Sequence, residues 1–309
     1  MKNKIFFNSK ISKVIFAAFI AFALVAVSLV AFSFPATAAQ SPTIGLSTRD
    51  SINSLVEQTA IAQRVPGISV AVISENETLF AQTGYADIRT NTKVDENTLY
   101  MLGSVSKAFT GLGVLYLEHE GKLNLTDPVN KHIPWLSFNF DEHFSMNDFR
   151  IIDLLHHTSG LTLSSHSLTL PPSSGDDALL ETVKLLNGSR LDFAPSTRHG
   201  YASANYILSG FLIQEISGMP YEEFMTANIF RPLGLNNTFT SANDANQSEE
   251  GFMATGYKPG WFSSRPFVSP EFRGHTPTGY IISNANDIAN WLNFQLDPTD
   301  APAPFNELN

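Results

Sequence analysis

Residues 99–121 place the strongest single restriction on the fold. Apolar residues recur there at helical spacing, from Val105 through Phe109, Leu112, Leu115 and Tyr116. Gly121 stands where a glycine commonly ends a helix. The spacing predicts a helix with one apolar face, which must be buried against other elements. Gly103 precedes Ser104 at its start, and Lys107 follows one turn later. Residues three apart share a helix face, so the amine lies beside the hydroxyl. Serine becomes a nucleophile when a base takes its proton, and a desolvated lysine can serve because burial favours the neutral amine. The free N–H groups and dipole of a helix N-terminus suit a developing oxyanion. Of the ten lysines only Lys107 has a serine three residues before it. Such a match also arises by chance. On these residues alone the alternative is a serine cap beside a surface lysine.

The chain has 309 residues and ordinary apolar content, enough for one large domain or two small ones. It has no cysteine, which excludes disulfides, cysteine nucleophiles and zinc–thiolate sites. The formal charge is −10, and residues 1–38 carry four lysines and no acid, so the remainder stands at −14. So acidic a body, with no basic cluster, excludes nucleic acid as a partner.

Four lysines occupy residues 1–13. Val14–Phe34 is apolar except for Ser28 and Ser33, and Pro35-Ala36-Thr37-Ala38-Ala39 follows. This is the layout of an export signal over 1–38, with Ala36-Thr37-Ala38 as the cleavage site. The apolar stretch over 14–34 is also long enough to remain as a membrane anchor. The cleavage site favours removal. In both cases the body, 39–309, is expected outside the cytoplasm, secreted or in the cell envelope.

Further along, Ser47-Thr48-Arg49-Asp50 reads as a capping box before a helix with Ile52, Leu55, Val56 and Thr59 on one face. Residues 67–74 and 78–85 read as two strands joined through Glu75-Asn76-Glu77. Thr126-Asp127-Pro128-Val129 starts a short helix. Ser145–His157 reads as one helix closed by Thr158-Ser159-Gly160, and residues 161–175 as a loop. Helices are predicted over 176–186, 207–216, stopped at Gly218, and 220–230, and a capped one from Ser283 to Leu292. Adjacent His156 and His157 point about 100° apart on a helix and cannot share a metal ion well, so they read as structural or turn-capping residues.

Several runs carry a resemblance. They are Tyr-Met-Leu-Gly-Ser-Val-Ser-Lys-Ala-Phe-Thr at 100–110, Glu-Gly-Lys-Leu-Asn-Leu-Thr-Asp-Pro-Val at 120–129, Asp-Leu-Leu-His-His-Thr-Ser-Gly-Leu at 153–161, and the Pro-Leu-Gly-Leu turn at 232–235. Over about 48–296 the chain resembles the penicillin-recognising serine hydrolases, in the branch of class C β-lactamases, D,D-carboxypeptidases and esterases. The resemblance implies an α/β (α+β) fold of the serine β-lactamase/transpeptidase type. An antiparallel sheet would carry flanking helices, with a mostly helical region over 101–296. It implies acyl transfer to Ser104, with Lys107 as base, and hydrolysis of the acyl-enzyme without metal or cofactor. Tyr201 matches the tyrosine of the family's Tyr-x-Asn motif, which passes the proton to the leaving group. Ser203 stands at the asparagine position and is the candidate substrate-binding residue, with a shorter reach toward a substrate amide.

The family's third motif, Lys or His, then Thr or Ser, then Gly, is not met by His275-Thr276, because Pro277 follows. By the same resemblance the last strands, that motif, the second oxyanion donor and the C-terminal helix are expected to be absent from this chain. The substrate would be a β-lactam, a D-amino-acid peptide or an ester. The alternative is a non-catalytic or truncated relative in the envelope that binds cell-wall peptide or a partner.

Overall fold

The computed structural model describes residues 46–74, 77–140, 143–162, 174–258 and 265–307. The export layout, the Glu75-Asn76 turn and most of the 161–175 loop lie outside these. Among the described residues no helix is long and apolar enough to cross a membrane.

The first helix, α1 (Leu46–Gln63), begins one residue before the serine expected to cap it. Its buried stripe is Val56 and Ala60 with half-buried Ile52, four residues apart, while Leu55 and Thr59 face solvent. The strands β1 (Gly67–Ser74) and β2 (Glu77–Asp87) pair antiparallel along their whole length, Gly67 opposite Gly84 and Ser74 opposite Glu77. Short β3 (Thr92–Lys93) extends the sheet in the order β1-β2-β3, and α1 packs on β2.

The chain then enters the helical region through β4 (Tyr100–Met101) and a single 3-10 turn, Gly103–Val105, which runs into α2 (Ser106–His119). Gly103 has φ +55, a left-handed conformation that favours glycine, so the turn onto the helix falls where glycine stands. Gly121, at φ +67, follows the end of α2 as expected. Phe109, Leu112, Val114 and Leu117 of α2 enter the main core, whereas Val105 and Leu115 stay largely exposed.

The expected single helix over 145–157 is broken. Ser145 and Asp148 form a reciprocal capping box around the 3-10 turn Met146–Asp148. Arg150 then bridges Pro128, which precedes α3 (Val129–His132), and α4 (Ile151–Leu155) starts afresh. Next come α5 (Ala178–Leu186) and α6 (Ser203–Ser217), the latter ended by Gly218 at φ +70. After α7 (Tyr221–Met225) a π-type turn spans Thr226–Phe230, and α8 (Ala242–Asn246) follows. A hairpin of β5 (Gly256–Lys258) and β6 (Arg265–Phe267) precedes α9 (Thr276–Gly279). Then β7 (Ile282–Ser283) pairs antiparallel with β4, so the entry and exit of the helical region are joined. Asn284 caps α10 (Ala285–Leu296) by accepting the Asp287 N–H at 2.9 Å.

One core holds these helices together. Phe109 stacks on Trp291 of α10 at 4.1 Å between ring centroids and meets Phe230 edge-on at 6.0 Å. Burial of such a ring contributes about 1.5–3 kcal/mol. α2 is thereby packed against α10 and the π-type turn, and it also packs along α6. The mixture of helices and antiparallel strands is the α/β architecture that the resemblance implied.

Candidate active site

Ser104 lies exposed in the 3-10 turn, and Lys107, in the first turn of α2, is 1% exposed. Lys107 Nζ lies 3.3 Å from Ser104 Oγ and donates to the Thr278 carbonyl at 2.7 Å. That carbonyl belongs to α9, which packs across the start of α2. Burial lowers the pKa of Lys107, and the neighbouring Tyr201 hydroxyl opposes the shift without cancelling it. A neutral amine offers two N–H groups and one lone pair. In that neutral form one N–H reaches Thr278, and the lone pair is left to accept the Ser104 proton.

Tyr201 comes from the segment leading into α6, and its hydroxyl donates to Ser104 Oγ at 2.9 Å. Its ring lies 5.1 Å from Lys107 Nζ. Three sequence-predicted residues, Ser104, Lys107 and Tyr201, therefore meet at one oxygen atom. Ser203, the fourth, is the half-buried first residue of α6. Among the described residues its hydroxyl has no hydrogen-bond partner, and it makes no bond to the other three.

Tyr201 is held by a ladder between residues 157–160 and 192–202. Asp192 N–H donates to the Gly160 carbonyl, Ser196 N–H to Thr158, and Gly200 N–H to His157. Ser196 adopts φ +61, and its hydroxyl donates to Asp153 Oδ1 at 2.7 Å. The last rungs use the His157 ring, whose Nδ1 accepts the Ala202 N–H at 3.2 Å and the Asn205 amide at 2.9 Å. Ser159 in turn donates to Asn205 Oδ1 at 2.6 Å. An Nδ1 that accepts leaves the ring proton on Nε2. Burial, aided by the Lys107 charge, pushes the His157 pKa down to about 3, so the ring is neutral. It lies against Tyr201 at 4.5 Å and Tyr206 at 5.3 Å between centroids.

His157 is thus a buried structural residue that orients Tyr201, while His156 is exposed. Asn205 and the Thr278 carbonyl were not singled out from the sequence. Asn205 is fully buried and braces the ladder. His275-Thr276 lies on helical turns rather than on a strand. His275 is near enough for the Lys107 charge to add to the burial that lowers its pKa.

Both the architecture and the sequence have known counterparts. A solved structure, the octameric penicillin-binding protein homologue from Pyrococcus abyssi, superposes with a TM-score of 0.68 over 84% of this chain and 59% of that one. Its sequence is 24% identical, so the likeness is one of fold. Protein flp of Staphylococcus aureus is 31% identical over 260 residues, 82% of this chain and 50% of flp. A β-lactamase of Yersinia enterocolitica is 31% identical over 268 residues, 86% of this chain and 64% of the enzyme. The chain spans about half the length of the staphylococcal relatives it matches. The family model described as Beta-lactamase matches residues 52–306, which contain the whole constellation, and the chain belongs to the Beta-lactamase family.

Proposed function

We propose that the chain is a serine hydrolase that works by acyl transfer to Ser104. The observation that carries this reading is the convergence of Lys107 Nζ and the Tyr201 hydroxyl on Ser104 Oγ, with Lys107 buried and its charge disfavoured. The neutral amine takes the serine proton as Oγ attacks the carbonyl carbon, and the developing oxyanion meets the Ser104 N–H in the first helical turn. Tyr201 then delivers a proton to the departing nitrogen or oxygen. Water reverses the sequence and frees the acid. A protein that only binds peptide has no use for a desolvated lysine beside a serine, so the catalytic reading is preferred to the non-catalytic one.

The substrate is an amide or ester whose acyl carbon reaches Ser104, in the class of β-lactams, D-amino-acid peptides and simple esters. Ser203, with a free hydroxyl two residues past Tyr201, is the group offered to a substrate amide. The deciding experiment treats the full chain with a fluorophosphonate and maps the adduct. Adduct on Ser104 alone, lost in Ser104→Ala, supports the reading, and labelling that survives the substitution refutes it. Hydrolysis of a chromogenic cephalosporin, a D-Ala-D-Ala peptide and a nitrophenyl ester then ranks the substrates. The 1–39 layout further supports a mature protein outside the cytoplasm. N-terminal sequencing of exported material should begin at or near Ala39, and recovery of the intact chain from cytosol overturns that placement.

A further inference from the structure

We propose a second binding site, separate from Ser104, for a small zwitterion with an apolar side chain, that is, a free amino acid. A cavity of about 260 Å3 opens between the π-type turn Thr226–Phe230, the 235–240 segment and α8. Its volume is below the ~300–1,000 Å3 of pockets that take drug-sized ligands, so it suits one amino acid rather than a peptide. Phe230 and Leu235, both almost wholly buried, and half-buried Phe239 give it an apolar lining.

Two opposite charges line the same space, the Arg231 guanidinium and the Asp244 carboxylate. Among the described residues neither has an ion-pair partner, and they are not paired with each other. A guanidinium recognises a carboxylate through two parallel hydrogen bonds, and a carboxylate recognises an ammonium group. The third polar group is Thr240. It is 6% exposed and lines the cavity, and its hydroxyl has no hydrogen-bond partner among the described residues. The oxygen itself stays accessible to solvent, and so to a bound molecule. π-type turns also recur at functional sites. In the proposed pose the carboxylate meets Arg231, the ammonium meets Asp244 and the aliphatic or aromatic side chain lies on the apolar lining.

The test titrates the full chain carrying Ser104→Ala with L-leucine and with D-leucine by calorimetry, so that turnover at Ser104 has no influence. Saturable binding of at least one enantiomer is expected, and the enantiomer arms show which hand the cavity prefers. Leucinamide, which lacks the carboxylate, and N-acetylleucine, which lacks the ammonium, should each bind at least about tenfold more weakly, the loss of one good polar contact. Arg231→Gln and Asp244→Asn should weaken leucine by a similar factor. Absence of saturable leucine binding, or blocked analogues that bind as tightly as leucine, overturns the proposal whether or not the variants fold.

Discussion

The His157 ring makes the stability of this protein depend on pH in a way that one substitution can isolate. Its pKa falls from 6.5 to about 3 on folding, so above pH 6.5 both folded and unfolded chains hold it neutral. Below pH 6.5 the unfolded chain gains a proton that the folded one refuses. Stability contributed by the neutral ring is therefore present at high pH and is lost as pH falls, by about 1.4 kcal/mol per unit. By pH 4.5 the loss relative to neutral pH has reached about 2.7 kcal/mol, a large part of the ~5–15 kcal/mol of a typical domain. His157→Asn removes the titration yet keeps a carbonyl oxygen near the Nδ1 position, and asparagine tolerates the φ of +56 found there. The lost ring contacts impose a cost that does not vary with pH. Carboxylates titrate alike in both proteins and cancel. Urea unfolding of the two proteins from pH 7.5 to 4.5 should give a stability gap that narrows, in favour of the variant, by about 1.4 kcal/mol for each unit below 6.5. A gap that stays constant over this range refutes the buried neutral histidine.

Three further outcomes are expected. Labelling of Ser104 should quicken with pH through a pKa below the ordinary lysine value and then level off, and Lys107→Arg should not restore it, because arginine keeps its proton. A rate independent of pH counts against Lys107 as base. Tyr201→Phe deletes the 2.9 Å bond to Ser104 Oγ and should slow turnover by about 10²–10⁴ while leaving the thermal midpoint nearly unchanged, and full activity in stopped assays would remove Tyr201 from the mechanism. Gly210→Ala would set a Cβ 2.2 Å from Pro277 Cγ, so α9 must shift with its Thr278 carbonyl. A loss of about 1–3 kcal/mol together with slower Ser104 labelling is expected, and wild-type values of both would show that the contact is slack.

The parts of the site that were legible in the sequence are those carried by residue type and spacing. Ser104 and Lys107 are three apart on a helix whose apolar rhythm announces it, and Tyr201 stands in a run whose resemblance points to it. Thr278 was not legible, because its contribution is a backbone carbonyl that any residue could offer. Asn205 sat in the same run as Tyr201, but its role depends on Ser159 and His157, 46 and 48 residues away. The break within 145–157 has a tertiary cause too. Arg150 leaves the helical path to bridge Pro128, a pairing that local propensity does not encode. On α1 the helical rhythm of the apolar residues is legible, but the core takes the 52/56/60 stripe and leaves Leu55 to solvent.

The bond from Lys107 to Thr278 joins residues 171 apart in the chain. Until α9 docks, the amine is bathed in water, fully charged, and useless as a base. On the proposed mechanism Ser104 would gain its reactivity only when the tertiary structure is complete, and a nascent or misfolded copy would be chemically silent. The fraction of molecules that an acylating probe captured would then count those that have folded, and the proposed nucleophile would serve as a built-in gauge of native yield.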